Sequence, residues 1–149
     1  MTSNFFNNFL QVLWTHKSHI FCGGSIYNQN TIITAGHCCA PFEGNNFDNP
    51  YGDDLLWKDT KIIAAELVYS WNTTGLLEQA RSVKSHKIHP DYDINDPATP
   101  VNDICLLELD SDLDFNGNVP AIELNTNEII LDPTSTCTLA GWGKTQVST

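Results

Sequence analysis

The sequence predicts an all-β protein, and three observations carry that reading. Apolar residues come in short runs with no long stretch of helical period. Turn-forming residues separate those runs at close intervals. The chain is 41% apolar and 10% aromatic, which suits a globular core rather than a disordered segment. Strands at this spacing favour a barrel or sandwich over a βαβ fold, and 149 residues suffice for one domain with a sizeable core.

The elements follow in chain order. Residues 9–14 form a first candidate strand. Gly24-Ser25-Ile26-Tyr27 and Thr31-Ile32-Ile33-Thr34 flank Asn28-Gln29-Asn30, whose asparagines suit a hairpin turn. Residues 38–59 are rich in Gly, Asn, Asp and Pro and read as a long surface loop. Residues 61–69, 80–88 and 104–109 are the next strands. Residues 110–120 have no regular period and contain Gly117 and Pro120, so they are the best linker candidate. Residues 136–142 begin another strand, and no internal repeat is present.

Charge and composition exclude several function classes. The formal charge is −11 and Arg81 is the only arginine, which argues against a phosphate-binding surface and against nucleic acid as a partner. The acidity itself reads as a means of staying soluble. No apolar run approaches the ~20 residues needed to cross a bilayer, so no membrane partner is expected. Residues 1–10 hold three phenylalanines but no basic residue, and Asn4, Asn7 and Asn8 interrupt them, which makes a poor secretory signal. Five cysteines (Cys22, Cys38, Cys39, Cys105 and Cys137) nevertheless point to an oxidising, extracellular setting. The conflict is resolved by expecting one or both ends of a longer protein to be absent.

Two short segments carry the chemistry. Thr34-Ala35-Gly36-His37-Cys38 places a histidine beside a cysteine, and Asn102-Asp103-Ile104 places an aspartate at the opening of an apolar strand. A serine hydroxyl is a feeble nucleophile at neutral pH and needs a base within hydrogen-bond reach. Histidine suits that task because its ordinary pKa near ~6.5 lets it take and return a proton. An aspartate entering a buried strand is carried inward, where it can orient such a base. The remaining histidines, His16, His19, His86 and His89, read as surface or packing residues, with His89-Pro90 as a bend. Asp91, Asp93 and Asp96 read as loop acids. No Gly-Asp-Ser-Gly-like turn occurs in the 149 residues.

Taken together, the segments resemble the trypsin-like (chymotrypsin-fold) serine proteases. The matching stretches are Phe21-Cys22-Gly23-Gly24-Ser25-Ile26, Ile33-Thr34-Ala35-Gly36-His37-Cys38, residues 83–92, Asn102-Asp103-Ile104-Cys105-Leu106-Leu107-Glu108-Leu109 and Ala140-Gly141-Trp142-Gly143, in the family's order. The acidic, proline-containing loop before Asp53 and Asp54 also looks like that of the digestive trypsins of arthropods. The resemblance implies two six-stranded β-barrels with the active site between them. On that basis residues 1–110 supply the first barrel, 111–135 the crossover segment and 136–149 the first strand of the second barrel. It also implies that His37 is the general base and that Asp103 accepts the hydrogen bond from its Nδ1. The serine nucleophile, the oxyanion hole and the specificity pocket are expected to lie outside these residues.

The resemblance implies a Cys22–Cys38 bridge as well. Cys39 and Cys105 are not standard for the family. Each lies two positions after a catalytic residue, so we expect them to form a second bridge, leaving Cys137 to pair elsewhere. Some family members hold calcium in the loop corresponding to residues 66–78. Here Glu66 and Glu78 are present but the residues between them offer no further acid, whereas calcium wants six to eight oxygens, so neither calcium nor another cofactor is expected. The histidines and cysteines show no zinc spacing. Asn72-Thr73-Thr74 is an N-glycosylation sequon.

Three functions compete at this level. The first is a serine endopeptidase that cleaves polypeptides through an acyl-enzyme, of which this chain is an inactive part. The second is a non-catalytic protease homologue acting as a binding or regulatory protein. Such homologues usually lose a triad residue, and both His37 and Asp103 are present. The third is a single barrel functioning alone, which would leave Cys137 unpaired and Trp142 stranded. His37 and Asp103 are 66 positions apart (103 − 37), more than the family usually needs, and the excess falls in residues 39–60, beside the expected substrate cleft.

Overall fold

In the computed structural model the described residues are 11–16, 19–40, 60–64, 78–93, 101–116 and 119. They form β1 (Gln11–His16), β2 (His19–Asn28), β3 (Thr31–Thr34), the one-turn helix α1 (Gly36–Cys39), β4 (Thr60–Ala64), β5 (Gln79–Arg81), β6 (Val83–Ile88) and β7 (Cys105–Leu109). Neighbouring strands pair antiparallel in the order β5-β4-β1-β2-β3-β7-β6. The two outermost strands of that order, β5 and β6, are separated along the chain by Ser82 alone. The sheet therefore returns on itself and closes as a barrel, the arrangement that leaves no strand edge unpaired. Counting the bent segment 79–88 once gives six barrel strands.

That segment differs from the single strand expected at 80–88. Ser82 marks the break and is held by Asp110, the residue just past β7: its N–H donates to Asp110 Oδ1 at 3.1 Å, and its carbonyl accepts from the Asp110 N–H at 2.9 Å. The register also shifts between Val83 and Ser85. The break lets one half pair with β4 and the other with β7, which is what closure requires.

Other boundaries move for equally local reasons. The β2–β3 hairpin turns where the asparagines predicted it, with Asn28 Oδ1 accepting the Asn30 N–H at 3.0 Å, but β2 extends back to His19. Of the strand expected at 61–69, the described part is Thr60–Ala64. The loop expected from residue 38 begins instead as a buried helical turn, because Cys38 and Cys39 are both held by disulfides. Residues 110–116 are not a free tether. The Leu113 N–H donates to the Gln29 carbonyl at 2.6 Å, Arg81 Nε donates to the Asp112 carbonyl at 2.9 Å, and Leu113 is fully buried. The strand expected at 136–142 lies outside the described residues.

Alternation fills the barrel. Ile32 from β3, Ile62 and Ala64 from β4, and Cys105, Leu107 and Leu109 from β7 point inward, joined by Ile26, Val83, Leu113 and Val119. The side chains between them, such as Lys61 and Leu106, face out. Two inward threonines satisfy their hydroxyls locally: Thr34 Oγ1 donates to the Gly23 carbonyl at 2.7 Å and Thr15 Oγ1 to the Lys61 carbonyl at 3.4 Å. This pattern separates two adjacent leucines. Leu107→Ala is expected to cost about 2–5 kcal/mol through the cavity it leaves, and Leu106→Ala less than about 1 kcal/mol. Urea unfolding of the two variants checks the difference, and equal losses would contradict this barrel register.

Candidate active site

The site is built where β3 ends and β7 begins. Thr34, the last residue of β3, pairs with Cys105, the first of β7. The chain leaving β3 and the chain entering β7 therefore share one end of the barrel. Ala35 is extended (φ −76°, ψ 147°), and α1 then turns at once over residues 102–104.

His37 and Asp103 meet there at two points. The backbone N–H of His37 donates to Asp103 Oδ1 at 2.7 Å, and the ring Nδ1 lies 2.8 Å from Asp103 Oδ2. The Gly36 N–H adds a third hydrogen bond to the carboxylate. A glycine at 36 gives this approach room. A Cβ there would stand 3.1 Å from Asp103 Oδ1, 3.2 Å from the Ile104 backbone nitrogen and 3.3 Å from Tyr92 Cδ1. The tripeptide Gly36-His37-Cys38 thus has a steric reason for its first residue.

Asp103 is held by a turn rather than by the strand itself, which starts two residues later than Asp103. Asn102 adopts a left-handed conformation (φ 59°), which asparagine tolerates better than most side chains. Its carbonyl accepts the Ile104 N–H at 2.7 Å, and its Nδ2 donates to the Asp91 carbonyl at 3.2 Å. The bend at His89-Pro90 packs against this turn. The His89 N–H donates to the Ile104 carbonyl at 3.0 Å, and the Tyr92 N–H donates to the His89 carbonyl at 3.0 Å. Gly36, Asn102 and Tyr92 were not singled out by sequence reasoning. The signals that could have found them are a small residue directly before the histidine and an αL-tolerant one directly before the aspartate.

Opposing influences act on the Asp103 carboxyl. Burial, the largest single one, pushes its pKa up. The hydrogen bonds from the His37 ring and backbone, the attraction of the imidazole and the Gly36 N–H together outweigh it and hold the carboxyl below the ordinary aspartate range. Burial, and then the charges of Asp103 and Asp93, push the Tyr92 hydroxyl up. An ionised carboxylate only accepts, so the His37–Asp103 bond requires the proton on Nδ1 and leaves the Nε2 lone pair available. The His37 side chain is 61% exposed and that of Asp103 18%, so the imidazole faces solvent while its partner is sheltered.

Two disulfides surround the pair. Cys22–Cys38 joins α1 to β2 with a Cα separation of 6.2 Å, and Cys39–Cys105 joins α1 to β7 with 6.6 Å. In the chain-entropy view, loops of 16 and 66 positions correspond to about 3 and about 4 kcal/mol respectively. Cys22, Cys38 and a His37 ring nitrogen lie within 4.8 Å of one another, but the two sulfurs are spent on each other and offer no thiolate to a metal. Of the other candidate residues, His16 and His19 are cross-strand partners at the end of the β1–β2 pair, and Asp91 and Asp93 are exposed. Asn72, Glu66, Asp96 and Cys137 lie outside the described residues.

A closed antiparallel barrel with an imidazole–carboxylate pair at its rim defines an all-β, trypsin-like protein. The trypsin family model matches residues 5–149. The chain belongs to that family. It is 39% identical over 127 residues to trypsin-1 of Astacus astacus, a match covering 84% of this chain and 46% of the relative. It is 36% identical over 127 residues to hypodermin-A of Hypoderma lineatum, covering 85% and 41%. To the trypsin of Phaedon cochleariae it is 31% identical over 138 residues, covering 92% and 46%. The chain thus spans less than half the length of these relatives.

Two outcomes test the site. Gly36→Ala pushes a methyl against backbone and carboxylate together and should cost about 1–3 kcal/mol by urea unfolding. The second concerns pH. A carboxyl whose folded pKa is depressed contributes stability that is fully present above its unfolded value, near ~3.9, and is lost as pH falls through the lower folded value. Asp103→Asn should therefore flatten the fall of stability on the acid side. Unfolding curves collected from about pH 2 to 5 measure it, and an unchanged slope would contradict the charge assigned to Asp103.

Proposed function

We propose that His37 and Asp103 are the base and orienting half of a serine endopeptidase. The observation that carries this is the double attachment of His37 to Asp103, through the backbone N–H at 2.7 Å and through Nδ1 at 2.8 Å. Membership of the trypsin family supports the reaction class. In that reaction Nε2 of His37 takes the proton from a serine hydroxyl as the oxygen attacks a peptide carbonyl. Asp103 keeps Nδ1–H in place and stabilises the imidazolium that forms. The proton then passes from Nε2 to the leaving amine, an acyl-enzyme results, and water repeats the cycle. The substrate class is polypeptide and the setting extracellular, in keeping with the two disulfides among the described residues. An intact pair favours a catalytic lineage over a binding homologue, which has no use for a base of fixed direction.

The 149 residues contain no serine in a Gly-Asp-Ser-Gly turn. The chain by itself should therefore take no label from an acylating serine reagent and cleave none of a broad panel of peptides. A product of the same coding sequence that includes such a turn should do both. In that product His37→Ala should lower kcat by about 10⁶-fold, a magnitude that belongs to the general behaviour of such triads rather than to this chain. Covalent labelling of the 149-residue chain would overturn the assignment of roles, and so would a serine-bearing product indifferent to His37→Ala.

A further inference from the structure

The Cys39–Cys105 bridge occupies a position that the catalytic pair defines. His37 and Asp103 are 66 positions apart, and so are the two cysteines. Each cysteine follows one member of the pair by two residues. In α1 a step of two residues is more than half a turn, so Cys39 points away from the side that His37 occupies. The burial agrees: the His37 side chain is 61% exposed, and Cys39 is 0% exposed. Cys105 opens β7 with its side chain in the barrel core and is 1% exposed, whereas Asp103, in the turn two residues earlier, meets His37 at the rim.

The short helix is thus attached twice to one segment. On its outer side the attachment is the hydrogen-bonded contact between His37 and Asp103, and on its inner side it is a covalent bond to β7. Hydrogen bonds alone would leave a four-residue helix free to pivot about them. The other bridge cannot prevent that, because Cys22 lies on β2 and not on the segment that presents Asp103. We propose that the Cys39–Cys105 disulfide positions the dyad, fixing the rotation of the His37 turn against the Asp103 turn from the barrel interior. Its purpose rests on the protease reading, since only an oriented base needs that rotation held.

The 149-residue chain carries the test, with no turnover needed. Two NMR signals report the contact: hydrogen exchange of the His37 amide, which donates to Asp103 Oδ1, and the titration of the Asp103 carboxyl carbon. In C39A/C105A the His37 amide should exchange on the order of tenfold faster relative to the amides of β3 and β7, and the Asp103 carboxyl should titrate at higher pH than in the wild type. A second variant, C39A/C105V, refills the buried space with apolar groups and should behave the same way. If it instead retains both wild-type signals, packing and not the covalent tie orients the pair, and the proposal is wrong. Unchanged signals in C39A/C105A would overturn it as well. Loss of the sheet in both variants would make the bridge a general stabiliser and would equally overturn the positioning role. The protease reading fails by a different result, a serine-bearing product that ignores His37→Ala, so the two can be told apart.

Discussion

Asp103 spends both carboxylate oxygens on His37, and the chemistry of the site depends on that commitment. The carboxylate lies in a sheltered position where desolvation alone would favour its neutral form. Three N–H groups, two from the backbone of α1 and one from the imidazole, reverse the balance and keep it charged. A charged, acceptor-only partner then leaves the imidazole one choice of tautomer. The ring is not merely near an acid: its plane and its proton are both assigned by it. If Asp103 were neutral or turned by one rotamer, Nδ1 could accept instead of donate, and the exposed nitrogen would no longer be a base.

The barrel makes this contact attainable for residues 66 positions apart. β3 and β7 are neighbours in the sheet, and the bend at Ser82 lets β6 cover the far side of β7. The β3–β7 pairing matches Thr34 with Cys105, and that register places α1 above residues 102–104. Folding must bear the entropy of joining such distant segments. The inward rows of β3, β4 and β7 offset it with apolar burial, and the bridge between α1 and β7 removes part of it from the unfolded chain.

Much of this was legible from residues whose chemistry leaves few options. Short apolar runs between turn residues announced strands at Thr31–Thr34 and Cys105–Leu109, and the asparagines at 28 and 30 announced the turn between β2 and β3. Family motifs pointed to His37 and Asp103. Features set by tertiary contacts were not legible. Nothing in the local pattern of residues 80–88 marks Ser82 as a break, because its partner Asp110 is 28 positions away. Residues 110–116 look like a linker by composition, yet Leu113 is fully buried because the Gln29 carbonyl at the β2–β3 turn binds its N–H. The one-turn helix at Gly36–Cys39 is too short to leave a periodic signal, and its two cysteines fix it from outside. Asn102 and Gly36 are ordinary letters until the backbone is known to be left-handed at one and to pass within contact of a carboxylate at the other.

Among the described residues, the bonds that orient the His37 ring lie within one barrel. His37, Asp103, Gly36, Asn102 and the bend at residues 89–92 hold one another through contacts that involve no nucleophile and no substrate. General-base catalysis gains most when the base is aimed before the reactants arrive, since the cost of ordering is then met during folding and not during each turnover. A barrel with this construction offers an imidazole of settled direction and tautomer. On the proposed protease reading, what a serine must then bring is one distance, from its hydroxyl to Nε2. The separation of the two tasks lets residues at one rim of one barrel fix the direction of an imidazole although no Gly-Asp-Ser-Gly turn occurs in these 149 residues.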